Sequence, residues 1–119
     1  MYGLDKDVDL TFLVGKQLLQ VCVGLNQVIL NHSDGVSICD ESILRLNDGG
    51  NIDAEIFSDK PELASRLVCL LGSEVDSVVN NGDGNIKLKY SNGYMLTLYD
   101  GNDCAESYTI TSKTEEVIV

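Results

Sequence analysis

The chain has 119 residues, a length that suits one domain with a single core, and its 44% of hydrophobic residues excludes a charge-driven disordered protein. Its formal net charge is −11, from 19 acidic and 8 basic residues. This balance opposes direct binding of nucleic acid or of an anionic membrane surface, because both depend on Lys and Arg, and it favours a basic protein as the partner.

The compartment can be predicted from the same composition. No run of the sequence approaches the roughly 20 apolar residues that cross a bilayer, and the start of the chain lacks the blocks of a signal peptide. We therefore expect a cytoplasmic protein. The cysteines lack Cys-x-x-Cys spacing, which disfavours a zinc site or a redox dithiol and favours buried free thiols; they are Cys22, Cys39, Cys69 and Cys104.

The first part of the chain is typical of a β-hairpin unit. A strand is expected at residues 18–23. Residues 28–32 and 36–40 then alternate in polarity with the period of two that places one set of side chains on a single sheet face. Between them, Asp34 and Gly35 favour a two-residue type I′ turn, in which both central residues have positive φ.

The middle of the chain contains the best helix signal. Residues 47–58 are rich in Asn, Asp and Gly at their start, and we interpret Asn47–Ser58 as a linker. In the helix that follows, Asp59 is the expected cap, Pro61 suits the first turn and Gly72 ends it. The apolar face is expected to consist of Leu63, Ala64, Leu67, Val68, Leu70 and Leu71. A shorter helix is expected near residues 8–13.

The second half repeats the order of features in the first. The matched features are the apolar-Gly runs at 13–15 and 70–72, the strands at 18–23 and 75–79, the alternating segments around Asp34-Gly35 and Asn92-Gly93, and the Glu-Ser pairs at 41–42 and 106–107. We infer an internal repeat, residues 13–46 and 70–111, within a single domain spanning 1–119. The expected fold class is α+β, mainly antiparallel β, with two duplicated β-hairpin or meander units and one central helix.

The sequence contains no recognisable catalytic motif. It lacks a phosphate-binding Gly-rich loop, a His-Glu-x-x-His pair and a Gly-x-Ser-x-Gly elbow, and its acidic runs lack the spacing of a calcium loop. His32 is the only histidine, and it takes the place of Tyr90 in the second copy, which favours a packed side chain. A Cys/His dyad stays open at this point. We expect no enzyme activity, no metal site and no cofactor.

Acidic residues in two stretches are the candidates for a partner-binding surface. The first choice is Asp40, Glu41, Asp48, Asp53, Glu55 and Asp59, and the second is Asp100, Asp103, Glu106 and Tyr108. If the two units pack with pseudo-twofold symmetry, the acids at their ends either converge on one groove or lie on opposite edges. Solvated charge that only keeps the protein soluble is the competing explanation.

Several short segments carry a resemblance to a known family; they are Leu13–Lys16, Gln20–Gly24, Gln27–Leu30, Asp34–Ile38, Glu106–Ile110 and Val117–Val119. In them the chain resembles a family of small bacterial proteins of unassigned function. Some proteins of this kind are encoded beside polymorphic or contact-dependent toxins and are thought to be immunity proteins. The resemblance implies a non-enzymatic inhibitor that neutralises a cognate toxin, a basic nuclease, through an acidic surface.

Two alternatives remain at the level of sequence. One is an anti-defence inhibitor that mimics the charge of nucleic acid. The other is a structural module that forms homodimers through an edge strand, because open sheet edges invite pairing.

Overall fold

The computed structural model describes residues 9–51, 53–80, 82–100, 107–113 and 116–119, which form two five-stranded antiparallel sheets. The strands are β1 (Leu18–Val23), β2 (Val28–His32), β3 (Ser37–Asp40), β4 (Ile43–Asn47), β5 (Asp53–Phe57), β6 (Val75–Asn80), β7 (Ile86–Tyr90), β8 (Met95–Leu98), β9 (Tyr108–Thr111) and β10 (Glu116–Ile118). Two short 3₁₀ turns, Thr11–Leu13 and Ser33–Gly35, and one longer 3₁₀ helix, Pro61–Leu70, complete the described elements. The predicted class, α+β with mainly antiparallel β, is confirmed.

The two halves of the chain exchange strands. The sheet orders are β1-β2-β3-β9-β10 and β5-β4-β8-β7-β6. Each half contributes a three-stranded meander to one sheet and a hairpin to the other, because β4 pairs with β8 and β9 pairs with β3. The repeat of residues 13–46 and 70–111 stays a prediction, and the matched topology of the two halves is consistent with it.

One core lies between the two sheets. Alternation along β2 buries Val28 and Leu30, and alternation along β7 buries Ile86 and Leu88. These side chains belong to a single apolar cluster to which both sheets contribute. Among the described residues, no helix is long and apolar enough to cross a membrane.

The halves meet where β1 and β6 begin. Gly15 and Gly72 have φ of 85° and 86°, which places both in the left-handed region that glycine adopts without strain. The Gly15 N–H donates to the Val75 carbonyl at 2.8 Å, and the Gly72 N–H donates to the Leu18 carbonyl at 2.9 Å. The two apolar-Gly runs therefore form one junction with matched hydrogen bonds.

Both hairpin loops contain three residues, so the expected two-residue type I′ turn is wrong. The loops are residues 33–35 and 91–93, since the His32 N–H donates to Val36 O at 2.7 Å and the Tyr90 N–H donates to Tyr94 O at 2.9 Å. In the first loop Asp34 and Gly35 have φ of 61° and 74°, whereas in the second only Gly93 is left-handed, at 92°. The strand register leaves one residue more than a type I′ turn accommodates.

The interpretation of Asn47–Ser58 as a linker is also wrong, because β5 lies inside it. Ile56 is buried and Ala54 is half-buried, whereas Asp53 and Glu55 are exposed on the other face. The two carboxylates make this strand polar in composition, and they hide its period of two.

The helix begins and ends near the expected residues but is a 3₁₀ helix with a different apolar face. Three residues per turn stack Ala64, Leu67 and Leu70 in one buried row. Val68 and Leu71, expected on the buried face of an α-helix, are 55% and 42% exposed. Lys60, not Asp59, takes the capping position, and no side chain caps the helix. The shorter helix expected near residues 8–13 is a single turn, Thr11–Leu13, and Val8 lies outside the described residues.

The alignment of the two Glu-Ser pairs is displaced by one residue. Leu44 lies opposite Leu98 on β8, and Tyr108 lies opposite Asp40 on β3. Since β8 and β3 hold the same place in their meanders, Leu44 and Tyr108 are the equivalent residues. The repeated letters Glu-Ser therefore do not occupy equivalent positions.

Candidate functional site

The chain crosses from one sheet to the other between β3 and β4, and this crossing organises one end of the molecule. Backbone hydrogen bonds join its segments: the Glu41 N–H donates to Ser107 O at 2.9 Å, and the Ser58 N–H donates to Ser42 O at 3.0 Å. We call this region the crossover end; its residues are Asp40, Glu41, Ser42, Ile43, Phe57, Ser58, Asp59, Gly84, Asn85, Tyr99, Asp100, Ser107 and Tyr108.

Asp40 is a buried carboxyl at the centre of the crossover end. Asp40 is 1% exposed, and its Oδ1 accepts a hydrogen bond from Ser42 N at 2.9 Å. Its Oδ2 has no hydrogen-bond partner among the described residues. Burial is the main cause that raises the pKa of Asp40 to about 7, with a smaller contribution from the Glu41 charge. At the equivalent places in the other sheet Leu98 pairs with Leu44, so the pair of Asp40 and Tyr108 is polar where the other sheet is apolar.

Tyr108 is anchored inside the same region. Its hydroxyl donates to the Gly84 carbonyl at 2.7 Å. Burial is the main cause that raises the pKa of Tyr108, and the nearby carboxylates of Asp100, Asp40 and Asp83 raise this pKa further. Asp40 and Asp100 therefore both lie near one buried phenol. For these two acids, the ends of the two units converge and do not lie on opposite edges.

Asp100 is held against Gly84 by close packing. A Cβ added at Gly84 would lie 2.7 Å from the Asp100 Oδ2, and Gly84 has φ of +89°, so only glycine fits here without a shift. Ser107 Oγ donates to Asp100 Oδ1 at 3.1 Å, and the Asp100 N–H donates to Asn85 Oδ1 at 2.8 Å. These contacts fix the loop before β7 against the segment that follows β8.

An open cleft of about 270 Å³ lies beside this buried cluster. Its lining residues are Asn26, Glu41, Ser42, Ile43, Phe57, Ser58 and Asp59. Ile43 and Phe57 are half-buried and give it an apolar wall, while the exposed carboxylates of Glu41 and Asp59 are acidic groups on its lining. Neither carboxylate forms an ion pair with a described basic residue. We call this the acidic cleft.

The basic side chain of Lys60 follows Asp59 at the acidic cleft. Its Nζ lies 5.6 Å from the centroid of the Phe57 ring, a distance at which a cation is attracted to an aromatic face. Lys60 is exposed, so this contact does not close the cleft. A cation of the protein itself therefore lies near one face of the Phe57 ring.

A second cleft, of about 300 Å³, shares Ile43 with the first but already contains a cation. Arg45 lines it and donates to Asp53 at 2.7 and 3.0 Å and to Glu55 at 3.4 Å. The hydrogen bonds to Asp53 and Tyr99 raise the pKa of Arg45, and the hydrogen bond from Arg45 lowers the pKa of Asp53. Two of the predicted contact acids are therefore satisfied within the protein.

The ten predicted contact residues divide into separate groups. Glu41 and Asp59 line the acidic cleft, whereas Asp40 and Tyr108 are buried and cannot contact a partner at the surface. Asp100 and Glu55 line the second cleft. Asp53, which lies on β5 with Glu55, forms an ion pair with Arg45 of β4. Asp48 lies in the β4–β5 turn, away from the crossover end, where its Oδ1 accepts a hydrogen bond from Gly50 N at 2.8 Å. Asp103 and Glu106 lie outside the described residues.

Sequence reasoning missed the uncharged part of the acidic cleft. Ile43, Phe57 and Asn26 line it, and Leu25 next to Asn26 is 79% exposed. The sequence does contain one signal for it, because Leu25 lies in a turn between two apolar strands and turns are usually polar.

His32 is a structural residue, and the described cysteines are less buried than the sequence suggests. His32 is buried, its Nδ1 lies 3.2 Å from the Leu30 carbonyl and its Nε2 lies 2.8 Å from the Tyr90 hydroxyl, so both ring nitrogens have partners. Cys22 and Cys39 are half-buried and Cys69 is exposed, which contradicts the expectation of buried thiols for these three; Cys104 lies outside the described residues. Within the described ranges, no three His, Cys, Asp or Glu side chains are arranged to hold a metal ion.

Comparison of the chain with protein-family models, with curated proteins and with solved structures finds no match. The site is therefore interpreted from its own geometry.

Proposed function

We propose that this protein is a non-enzymatic inhibitor whose crossover end binds a basic protein. The observation that carries the proposal is the acidic cleft. In it the carboxylates of Glu41 and Asp59, which form no ion pair with a described basic residue, lie beside the apolar wall of Ile43 and Phe57.

A lysine or arginine side chain of a partner matches this cleft. Such side chains pack their aliphatic stems on apolar surface and keep the charged head at a polar rim. Ile43 and Phe57 would receive the stem, and Glu41 and Asp59 would receive the head.

The charge of the whole molecule supports a basic partner. A net charge of −11 attracts a positively charged surface over a distance and raises the association rate, most strongly at low salt. Leu25, 79% exposed beside the cleft, provides an apolar side chain that a partner can bury, and such anchors determine the lifetime of a complex.

The class of partner follows from the same chemistry. Proteins that bind or cleave nucleic acid carry Lys and Arg where the phosphates lie. An acidic cleft that takes such side chains would cover that surface and block it. We propose that the partner is a bacterial toxin of the nuclease class and that the protein acts in the cytoplasm as its immunity protein.

Affinity capture from cells in which the protein is native tests the proposal. The wild type is compared with the double variant E41Q/D59N and with the matched control E74Q/E116Q, which removes the same charge from exposed positions away from the cleft. We expect the wild type and the control to retain one basic protein, and the cleft variant to lose it.

The identity of the captured protein decides the finer proposal. The purified protein is assayed for nucleic acid cleavage with and without the inhibitor at equal concentration. Cleavage that stops with the wild type and persists with E41Q/D59N is the expected result. Retention of a partner by both double variants alike would refute binding at the cleft, and a captured protein without nuclease activity would refute the toxin assignment.

A further inference from the structure

The two sheets have four edge strands, and three of them are protected against pairing. The edges are β1 and β10 in one sheet and β5 and β6 in the other. Natural sheets protect their edges with charged side chains or with very short strands. β5 carries exposed Asp53 and Glu55, β6 carries exposed Asp76, and β10 has only 3 residues and begins with exposed Glu116.

β1 has a bulge at Leu19, but it has neither a charged side chain nor a very short length. Residues 17–33, which include β1 and β2, contain no Asp, Glu, Lys or Arg, although charged residues make up 23% of the chain. Leu19 is 59% exposed and Val23 is 47% exposed. The bulged residue at the start of β6 is Asp76, and the bulged residue at the same place in β1 is Leu19. At the bulge of the edge strand, the second half therefore has a charged side chain and the first half has an apolar one.

The open part of β1 is its second half. At its start, Leu18 is covered by the other half, because its N–H donates to Ser73 O at 2.9 Å and its carbonyl accepts from Gly72. From Gln20 to Val23 the strand pairs regularly with β2. In an antiparallel ladder, every second residue directs its N–H and C=O groups to the neighbouring strand. Gly24 does so, because its N–H donates to Gln27 O, and Val21 and Val23 therefore direct theirs away from β2. Among the described residues, these groups make no backbone hydrogen bond beyond that ladder.

We propose that β1 pairs antiparallel with β1 of a second copy of this chain, which joins two five-stranded sheets into one. Two molecules of charge −11 repel each other wherever carboxylates approach, and the β1–β2 segment is the stretch where they do not. A basic partner, in contrast, is attracted by the acidic residues, and these lie outside the β1–β2 segment. The inference goes beyond the proposed inhibitor function and does not depend on it.

Pairing about a twofold axis also suits the side chains of β1. In an isologous contact, residue i of one copy meets residue j of the other and j meets i, so only a residue on the axis meets its own copy. All residues of β1 are uncharged, so no register of the pair brings a charged side chain of one β1 onto the other. In β6, Asp76 would carry its charge into the same kind of pair.

Sedimentation velocity under reducing conditions tests the proposal, so that Cys22 cannot link the copies covalently. The wild type is compared with Leu19→Asp, which copies the charged bulge residue of β6, and with the matched control Val79→Asp on β6 itself. We expect the wild type and the control to reach twice the 12.9 kDa monomer mass at about 100 µM, and Leu19→Asp to weaken the dimer at least about tenfold.

Hydrogen exchange provides a readout that needs no variant. The amides of Val21 and Val23 should become more protected as the concentration of wild-type protein rises, while the amide of Val78, the β6 equivalent of Val21, should not change. A wild type that sediments at 12.9 kDa up to about 1 mM would refute the proposal. So would a dimer that Leu19→Asp leaves intact or whose formation protects neither Val21 nor Val23.

Discussion

The Nε2 atom of His32 lies 2.8 Å from the hydroxyl oxygen of Tyr90, and the two residues hold the same position in the two halves of the chain, 58 residues apart. His32 ends β2 opposite Leu18, and Tyr90 ends β7 opposite Val75. The Leu30 carbonyl accepts only, so Nδ1 carries the proton and Nε2 accepts the hydrogen bond from Tyr90. This buried bond joins the two meanders directly.

Removal of the Tyr90 hydroxyl should weaken that junction. Tyr90→Phe keeps the packing but leaves Nε2 of a buried histidine without a donor, which costs about 1–3 kcal/mol of unfolding free energy. Urea denaturation at neutral pH measures the loss. Tyr94→Phe, at a half-buried position, is the control and should change stability by less than about 0.5 kcal/mol.

His32 should make the protein sensitive to acid. Burial lowers the pKa of His32 from 6.5 to about 4, so between these values the unfolded chain binds a proton that the folded protein refuses. Stability from this residue is complete above about pH 6.5 and is lost as the pH falls through about 4, by up to about 3 kcal/mol. Relative to the wild type, His32→Gln should gain stability as the pH falls from about 6.5 to about 4, as measured by urea denaturation across the range. A difference between the two proteins that stays constant with pH would contradict the assignment.

Asp40 should have the opposite effect on the pH dependence. Burial raises its pKa from 3.8 to about 7, so the folded protein binds a proton that the unfolded chain releases, and stability falls as the pH rises between these values. Relative to the wild type, Asp40→Asn should gain about 2–4 kcal/mol between about pH 4 and pH 8. Glu116→Gln, at an exposed site, is the control and should follow the wild type across the same range.

The two residues together predict a flat profile for the wild type between about pH 4 and 6.5, because their slopes have opposite signs there. Each single variant should expose the slope of the other residue. A wild type that is flat while both variants are also flat would show that neither group is buried as described.

The 3₁₀ geometry of the helix predicts different costs for two adjacent residues. Leu67 is fully buried, whereas Val68 is 55% exposed. Leu67→Ala should therefore destabilise the protein by about 2–4 kcal/mol, and Val68→Ala by less than about 0.5 kcal/mol. Thermal denaturation of the two variants gives the comparison. Similar losses for both would indicate an α-helix with the wider apolar face expected from the sequence.

Strands with regular alternation could be predicted from the sequence, and those with charged residues on the outer face could not. β2 and β7 follow the period of two without interruption, so their bounds were close to those observed. β5 has the same period, but Asp53 and Glu55 give it the composition of a loop. The helix was placed correctly, yet nothing local in its sequence distinguishes three residues per turn from 3.6.

The candidate site was predictable in its charge and not in its shape. Glu41 and Asp59 were chosen as contact acids from the sequence, but the β4–β5 hairpin brings them to one cleft through the bond between Ser58 N and Ser42 O. Asp40 was expected at the surface beside Glu41. Its burial follows from the pairing of β3 with β9, a contact between distant parts of the chain that no local pattern reveals.

A cationic side chain bound in the acidic cleft should shift the amide signals of the residues around it, and an NMR titration of the isotope-labelled protein with a tetra-arginine peptide measures these shifts. The largest shifts are expected at Asn26, Glu41, Ser42 and Phe57. E41Q/D59N should reduce them, and E74Q/E116Q should not. Shifts of equal size at exposed acids throughout the molecule, such as Asp9, Glu74 and Glu116, would contradict binding in the cleft.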